Sequence, residues 1–167
     1  AIMVDSKWGV PRYDKDYETE CYTYNGQELL PSFRQTILTG QMLQRSNDRQ
    51  FFPRVESNFD RLIRKGPGPK NYFWIVTDKD GRQYYYGTYD GNNKDTNVLL
   101  MTKEGNIGYW PLCKVIDKDG NSMRYCYEKR YQKSEYQSLH PVTSPDSGSN
   151  PIYLGVQLWL KGIVYSE

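Results

Sequence analysis

The stretch TDKDGRQYYYG (residues 77–87) returns 39 residues later as IDKDGNSMRYCYE (residues 116–128). Both copies set Asp-Lys-Asp-Gly beside tyrosine-rich runs that fit a pleated surface. Glycine reaches the positive φ of a tight reversal without a steric penalty, and aspartate bonds nearby backbone donors. The pattern predicts a strand–turn–strand unit used more than once, with Asp78, Asp80, Gly81, Asp117, Asp119 and Gly120 as corners. A sheet grows by adding such hairpins, each leaning on the last.

The rest of the chain reads the same way. ECYTYNGQELLP (residues 20–31) alternates strand formers around Asn25 and Gly26, a strong two-residue hairpin signal. RVESNFDRLIRK (54–65) also fits a short helix, but it follows Pro53 and ends at GPGP (66–69), so it is expected to pair as a strand with NYFWIVTD (71–78). VLLMTKEGNIGYWPL gives a short strand, an EGN turn and a second strand start. VQLWLKGIVY (156–165) gives a last strand, bent at Gly162. Residues 32–50 read as strand and loop, although Phe33, Ile37 and Leu38 also fit one helical turn. Residues 91–98 are a polar loop, and 138–151 a mobile loop rich in Pro, Ser and Gly. The expected fold is all-β, an antiparallel meander of tandem hairpins, open or sandwich-like, with little helix. It forms a single β-rich domain over 1–167, as a fragment of a larger protein. Tyrosine outnumbers phenylalanine 16 to 5, which favours half-buried sheet surfaces over a deep apolar core. Tyr84 and Tyr86 face one side and Tyr85 the other, so both sides are covered or one awaits a partner.

Known chemistries find little support. Net charge is +2, which argues against a nucleic-acid partner. The stretches RLIRKGPGPK and EKRYQK read as solvated strand or loop faces. No apolar run approaches the roughly 18 residues of a membrane span. An EF-hand with Gly81 at its sixth position has Val76 first and Gly87 twelfth; with Gly120 there, these become Val115 and Cys126. Both lack the first and last carboxylate ligands, so the corners read as ordinary turns. Glu18 and Glu20 have the E-x-E spacing of some ADP-ribosyltransferases, but no Ser-Thr-Ser motif accompanies them. His140 is the single histidine and reads as a solvated loop residue; a dyad with Cys21, Cys113 or Cys126 would have to be made in space. The prolines of GPGPK remove donors that a phosphate cradle needs. Trp8, Trp74, Trp110 and Trp159 could stack on sugars, yet each sits in or beside an expected strand and reads as packing. No catalytic, metal or cofactor residue is assigned.

Two registers are open for the second corner. A two-residue Asp119–Gly120 loop puts Cys113 opposite Cys126 and permits a cross-strand disulfide. A three-residue loop ending in a glycine bulge puts Cys113 opposite Tyr125 and leaves free thiols.

Several stretches in order carry a resemblance: KWGVPRYD…ETECYTYNGQELLP, FFPRVESNFDRLIRK, YFWIVTDKDGRQYYYGTYDG, GNIGYWPLCKVIDKDGNSMRYCYEK and QLWLKGIVY. Pro53, Arg54, Val55, Glu56 and the KDG…YYYG hairpin are the most specific pieces. Together they resemble the SpvB-type N-terminal region, found also in B components of insecticidal toxin complexes and at the head of Rhs/YD-repeat proteins. The resemblance implies an Rhs-like sheet and a non-catalytic structural role, as part of a β-shell around a toxic polypeptide. Any ADP-ribosyltransferase would lie outside this chain. It implies a secreted or exported bacterial protein whose partners are the remainder of the same polypeptide or other toxin-complex subunits. Bare edge strands would invite an edge-strand oligomer. An aromatic-rich binding module for a glycan or host protein is the alternative reading.

Overall fold

The structure, a computed structural model, describes residues 1–32, 42–55, 60–132 and 155–166. The reading of Phe33, Ile37 and Leu38, the loop at 138–151 and His140 lie outside these residues. The chain runs β1 (Ile2–Asp5), β2 (Cys21–Tyr24), β3 (Gln27–Pro31), β4 (Arg49–Pro53), β5 (Arg61–Lys65) and β6 (Phe73–Thr77). It continues with β7 (Gln83–Tyr86), β8 (Leu100–Met101), β9 (Ile107–Trp110), β10 (Leu112–Ile116), β11 (Ser122–Gln132) and β12 (Gly155–Ser166). The pairings are antiparallel throughout, in one 12-stranded sheet ordered β12-β11-β10-β7-β6-β5-β4-β3-β2-β1-β9-β8. Among the described residues there is no helix.

The meander curls into a nearly closed barrel, and Pro111 is the seam. β9 pairs with β1 while β10 pairs with β7, yet the two strands are separated in sequence by Pro111 alone. The run from β10 round through β1 to β9 thus begins and ends on one stretch of chain. Proline has no N–H for a ladder, so the strand breaks there and its two halves serve opposite ends of the sheet. β1, unmarked by any turn signal in the sequence, is the strand that completes the circle.

The curl brings inward-facing residues into one cluster that includes Ile2, Tyr22, Phe51, Leu62, Trp74 and Trp110. Rings meet edge to face, with centroids 5.5 Å apart for Tyr22–Phe51, 5.1 Å for Tyr22–Trp74 and 6.0 Å for Trp74–Trp110. Such contacts add about 0.5–1.5 kcal/mol per pair beyond the area buried. The Trp110 indole Nε1 donates to the Tyr72 carbonyl at 2.7 Å, tying β9 to the start of β6. Tyr84 and Tyr86 pack on the core, while the backbone at Gly91 lies against the ring of Tyr85. The sheet is therefore covered on both sides at this hairpin.

β11 and β12 run on past the β10 ladder. Only residues 122–124 of β11 pair with β10, whereas β11 and β12 pair from Ser122–Ser166 to Gln132–Gly155. Beyond Arg124 β11 has no ladder with β10, yet Tyr89 Oη donates to the Tyr125 carbonyl at 2.6 Å, Tyr127 Oη to the Leu112 carbonyl at 2.7 Å and Lys129 Nζ to the Thr96 carbonyl at 2.6 Å; a register shift between Cys126 and Tyr127 skips Lys161. The bend expected at Gly162 falls at this bulge.

Candidate functional site

The densest gathering of ionisable groups lies inside one end of the barrel. Asp14 starts it: its Oδ1 accepts from the backbone N–H of Asp16 and Tyr17 at 2.8 and 2.9 Å, and these bonds hold its carboxyl below the usual range. The turn feeds a short backbone zipper, with Glu18 N–H to Leu43 O at 2.8 Å and Arg45 N–H to Asp16 O at 2.9 Å. The zipper points Glu18, Glu20 and Arg45 inward. Alternation along β5 then aims Arg64 at them, on the same face as Leu62.

Glu18 is gripped bidentately by Arg64, with Nη1 at 2.7 Å from Oε2 and Nη2 at 2.5 Å from Oε1. Arg45 Nη1 and Arg49 Nε approach the same carboxylate at 3.5 and 3.4 Å. Glu20 Oε1 accepts from Arg45 Nη2 at 2.8 Å and from the Thr19 hydroxyl at 2.9 Å. The Arg64 guanidinium lies 3.8 Å from the Tyr72 ring centroid and 5.2 Å from that of Phe51. Arg64 is fully buried, and the side chains of Arg45 and Glu18 are 5% and 6% exposed. Burial works against the charge on Arg45, but hydrogen bonds to Glu20 and Tyr72 outweigh it and raise its pKa. The same balance, with Glu18 as the partner, raises that of Arg64. Burial first of all pushes the Tyr22 and Tyr72 hydroxyls up.

These groups hold one another. Proton transfer needs a carboxylate with a free lone pair facing substrate, and both Glu18 oxygens are engaged by guanidinium groups. Glu20 Oε2 is buried without a hydrogen-bond partner. A cleft of about 230 Å³ reaches the cluster itself: Glu18, Thr19 and Glu20 line it together with residues that include Asp5, Trp8 and Arg12. Among the described residues no three His, Cys, Asp or Glu side chains are grouped to hold a metal. The arrangement is a polar plug held together by charge-assisted bonds.

Sequence reasoning met this cluster in fragments. It singled out Glu18 and Glu20 for their spacing and missed Arg45, Arg64 and Tyr72. RLIRK was read as a solvated face, and for Arg64 that is corrected: the strand alternates, so Arg64 shares the inward side with Leu62. An arginine two residues from a core leucine on a strand was the available signal.

The corners lie far from the plug and are alike. Asp78 Oδ1 accepts from the N–H of Asp80 and Arg82 at 2.9 and 3.0 Å; Asp117 Oδ1 accepts from Asp119 and Asn121, both at 2.9 Å. Gly81 and Gly120 have φ of 83° and 89°. Asp80 and Asp119 take part through backbone N–H. Asn25 and Gly26 have φ of 50° and 78° and join Tyr24 to Gln27. In the second corner Ile116 pairs with Ser122 and Lys114 with Arg124, so one step on Cys113 faces Tyr125 and not Cys126. Cys21, Cys113 and Cys126 are free thiols. Trp74 and Trp110 are fully buried, whereas Trp8 is 74% and Trp159 49% exposed.

The chain is similar in fold to several solved structures. The N-terminal domain of effector protein SpvB from Salmonella typhimurium strain LT2 aligns at TM-score 0.66 and 17% identity, covering 98% of this chain and 50% of that one. The crystal structure of TcdB2-TccC3-Cdc42 aligns at TM-score 0.65 and 20% identity, covering 98% of this chain and 7% of that one. A Photorhabdus luminescens Tc holotoxin pore gives the same values, with TM-score 0.65, 20% identity and coverage of 98% and 7%. The chain thus spans half of the SpvB domain chain and a small part of the toxin-complex chains. No curated protein matches it. The model of one family matches all of residues 1–167, and the chain belongs to that family: SpvB, Salmonella virulence plasmid 65kDa B protein.

Proposed function

We propose that the chain is a non-catalytic structural module of a longer, exported toxin-like polypeptide, one section of a β-shell that carries or encloses a toxic segment. Its partners on this reading are the rest of the same polypeptide or other subunits of a toxin complex. The observation that carries the reading is the use of the E-x-E pair as architecture. Within a chain of the SpvB family, Glu18 and Glu20 are held by Arg64 and Arg45 inside a barrel end. The spans support it too, since the matched region is 7% of the toxin-complex chains it resembles.

Exposed aromatics give the glycan- or host-binding alternative little to stand on. Trp8 sits after β1 and Phe52 on β4, whereas Trp159 and Tyr165 sit on β12 opposite Glu128 and Met123, hence on opposite faces. They share no platform.

The purified chain is expected neither to hydrolyse NAD nor to transfer ADP-ribose, and Glu18→Gln should lower its melting temperature with no turnover to lose. NAD turnover abolished by Glu18→Gln or Glu20→Gln at unchanged melting temperature overturns the reading.

A further inference from the structure

The plug leaves one of its acceptors unmet. The Glu20 side chain is fully buried, its Oε1 accepts from Arg45 and Thr19, and its Oε2 has no hydrogen-bond partner. A buried acceptor without a donor is costly, and more so when it is charged. Glu18, two residues back, is approached by three guanidinium groups and Glu20 by one. Glu20 is also a wall of the 230 Å³ cleft, at the rim where Asp5 of β1 pairs with Cys21 of β2. Asp5 adds a second carboxylate to that wall, its Oδ1 held by the Lys7 backbone N–H at 2.9 Å. Trp8 and Val10 give the wall an apolar side and are 74% and 91% exposed. The cleft is smaller than the roughly 300–1,000 Å³ of small-molecule sites, and suits one long side chain.

We propose that this cleft takes the side chain of an arginine carried by another polypeptide segment, whose guanidinium donates to Glu20 Oε2 and to the Asp5 carboxylate. A planar fork of donors can serve two carboxylates at once, which the point charge of an ammonium does less well. The methylene stem lies along Trp8 and Val10 while the charged head reaches the acids. An anionic ligand would turn instead to Arg12, the exposed cation on the same wall, and would leave Glu20 Oε2 without a donor. The choice of partner rests on the structural-module reading: the segment belongs to the longer polypeptide of which this chain is a part.

The probe is N-acetylarginine amide, titrated into the chain at constant chloride, with N-acetylcitrulline amide as the uncharged control of like shape. Heteronuclear NMR reads the Trp8 indole N–H and the Thr19 and Cys21 amides. The arginine probe should shift them saturably, with a Kd on the order of 1 mM, and the citrulline probe should bind about tenfold more weakly. Glu20→Gln should weaken the arginine probe about tenfold and Asp5→Asn about threefold. Arg12→Ala removes a like charge and should tighten it. Near-ultraviolet circular dichroism of Trp74 and Trp110 checks the barrel in each variant; if Glu20→Gln loses it, the two rim variants decide. No saturable shift, equal binding of the citrulline probe, or an affinity that Asp5→Asn leaves unchanged overturns the proposal. So does weakening by Arg12→Ala, which marks an anion site. In the longer polypeptide the probe should no longer bind, because the cleft is filled; a cleft still open there overturns the choice of partner. None of these outcomes bears on the NAD assays above, so the non-catalytic reading stands or falls separately.

Discussion

Replacing Arg64 by leucine would leave the Glu18 carboxylate buried, with Arg45 and Arg49 no nearer than 3.5 and 3.4 Å. Breaking a buried pair by removing one partner costs about 3–5 kcal/mol. Arg64→Leu is therefore expected to lower stability by about that much in urea denaturation, and Glu18→Leu added to it should recover a large part. Equal loss in single and double variants would show that Arg64 acts through its ring contacts and not through Glu18. At the same scale, burial pushes the Cys113 thiol up to about 12, and its Sγ donates to the Pro111 carbonyl at 3.4 Å. The thiolate is the reactive form. Cys113 should resist alkylation until the chain unfolds, whereas the half-buried Cys21 and Cys126 react sooner; mass spectrometry of labelled peptides checks the order. The sequence offered both cysteine registers and could not choose, because the turn alone sets the count. The glycine at +89° in a three-residue loop decided it.

At the scale of elements, two kinds of glycine should part company. Gly81 and Gly120 have positive φ but open space where a Cβ would stand, so alanine there meets the backbone penalty of about 1–2 kcal/mol and little else. At Gly87, φ is 72° and a Cβ would fall 2.5 Å from Trp110 Cδ1 and 2.8 Å from Leu99 Cδ2. Gly87→Ala should destabilise by more than either corner variant, since it adds core overpacking of about 1–3 kcal/mol; thermal denaturation of the three ranks them. The loop acids set a pH dependence. Backbone N–H groups of Asn93 and Asn92 hold Asp90 well below the ordinary carboxylate range, and Asp117 is lowered by its bonds to Asn121. A folded pKa below the unfolded one stabilises above the unfolded value, and that stability is lost as pH falls through the folded one. The melting temperature should hold at mild acidity and drop below about pH 4. Asp90→Asn should flatten that drop. The D-K-D-G corners were legible because aspartate and glycine act locally. A third corner of the same hydrogen bonding, 102–106, was seen only as a turn. There Thr102 Oγ1 accepts from Asn106 N–H at 3.2 Å, in the role that aspartate has in the other two.

At the scale of the whole molecule, the barrel stores tyrosine hydroxyls away from water. Burial raises the pKa of Tyr22, Tyr86 and Tyr127 and pushes Tyr89 up to about 12. A folded pKa above the unfolded one gives stability that is whole below the unfolded value, near 10 for tyrosine, and is lost as pH rises through the folded one. Alkali should thus unfold the barrel between about pH 10 and 12, and tyrosinate absorbance should rise in step with loss of the tryptophan dichroism. A smooth titration of all tyrosines in the folded state would contradict this. Alternation of side chains and turn chemistry act over a few residues, so the sequence by itself determined that this chain is antiparallel strand joined by hairpins. The ordered motifs also placed it beside the SpvB-type region. Closure and burial join residues distant along the chain. That β1 meets β9, that Pro111 splits one strand between two ends of the sheet, and that Glu18 finds Arg64 46 positions away, were decided only when the sheet curled.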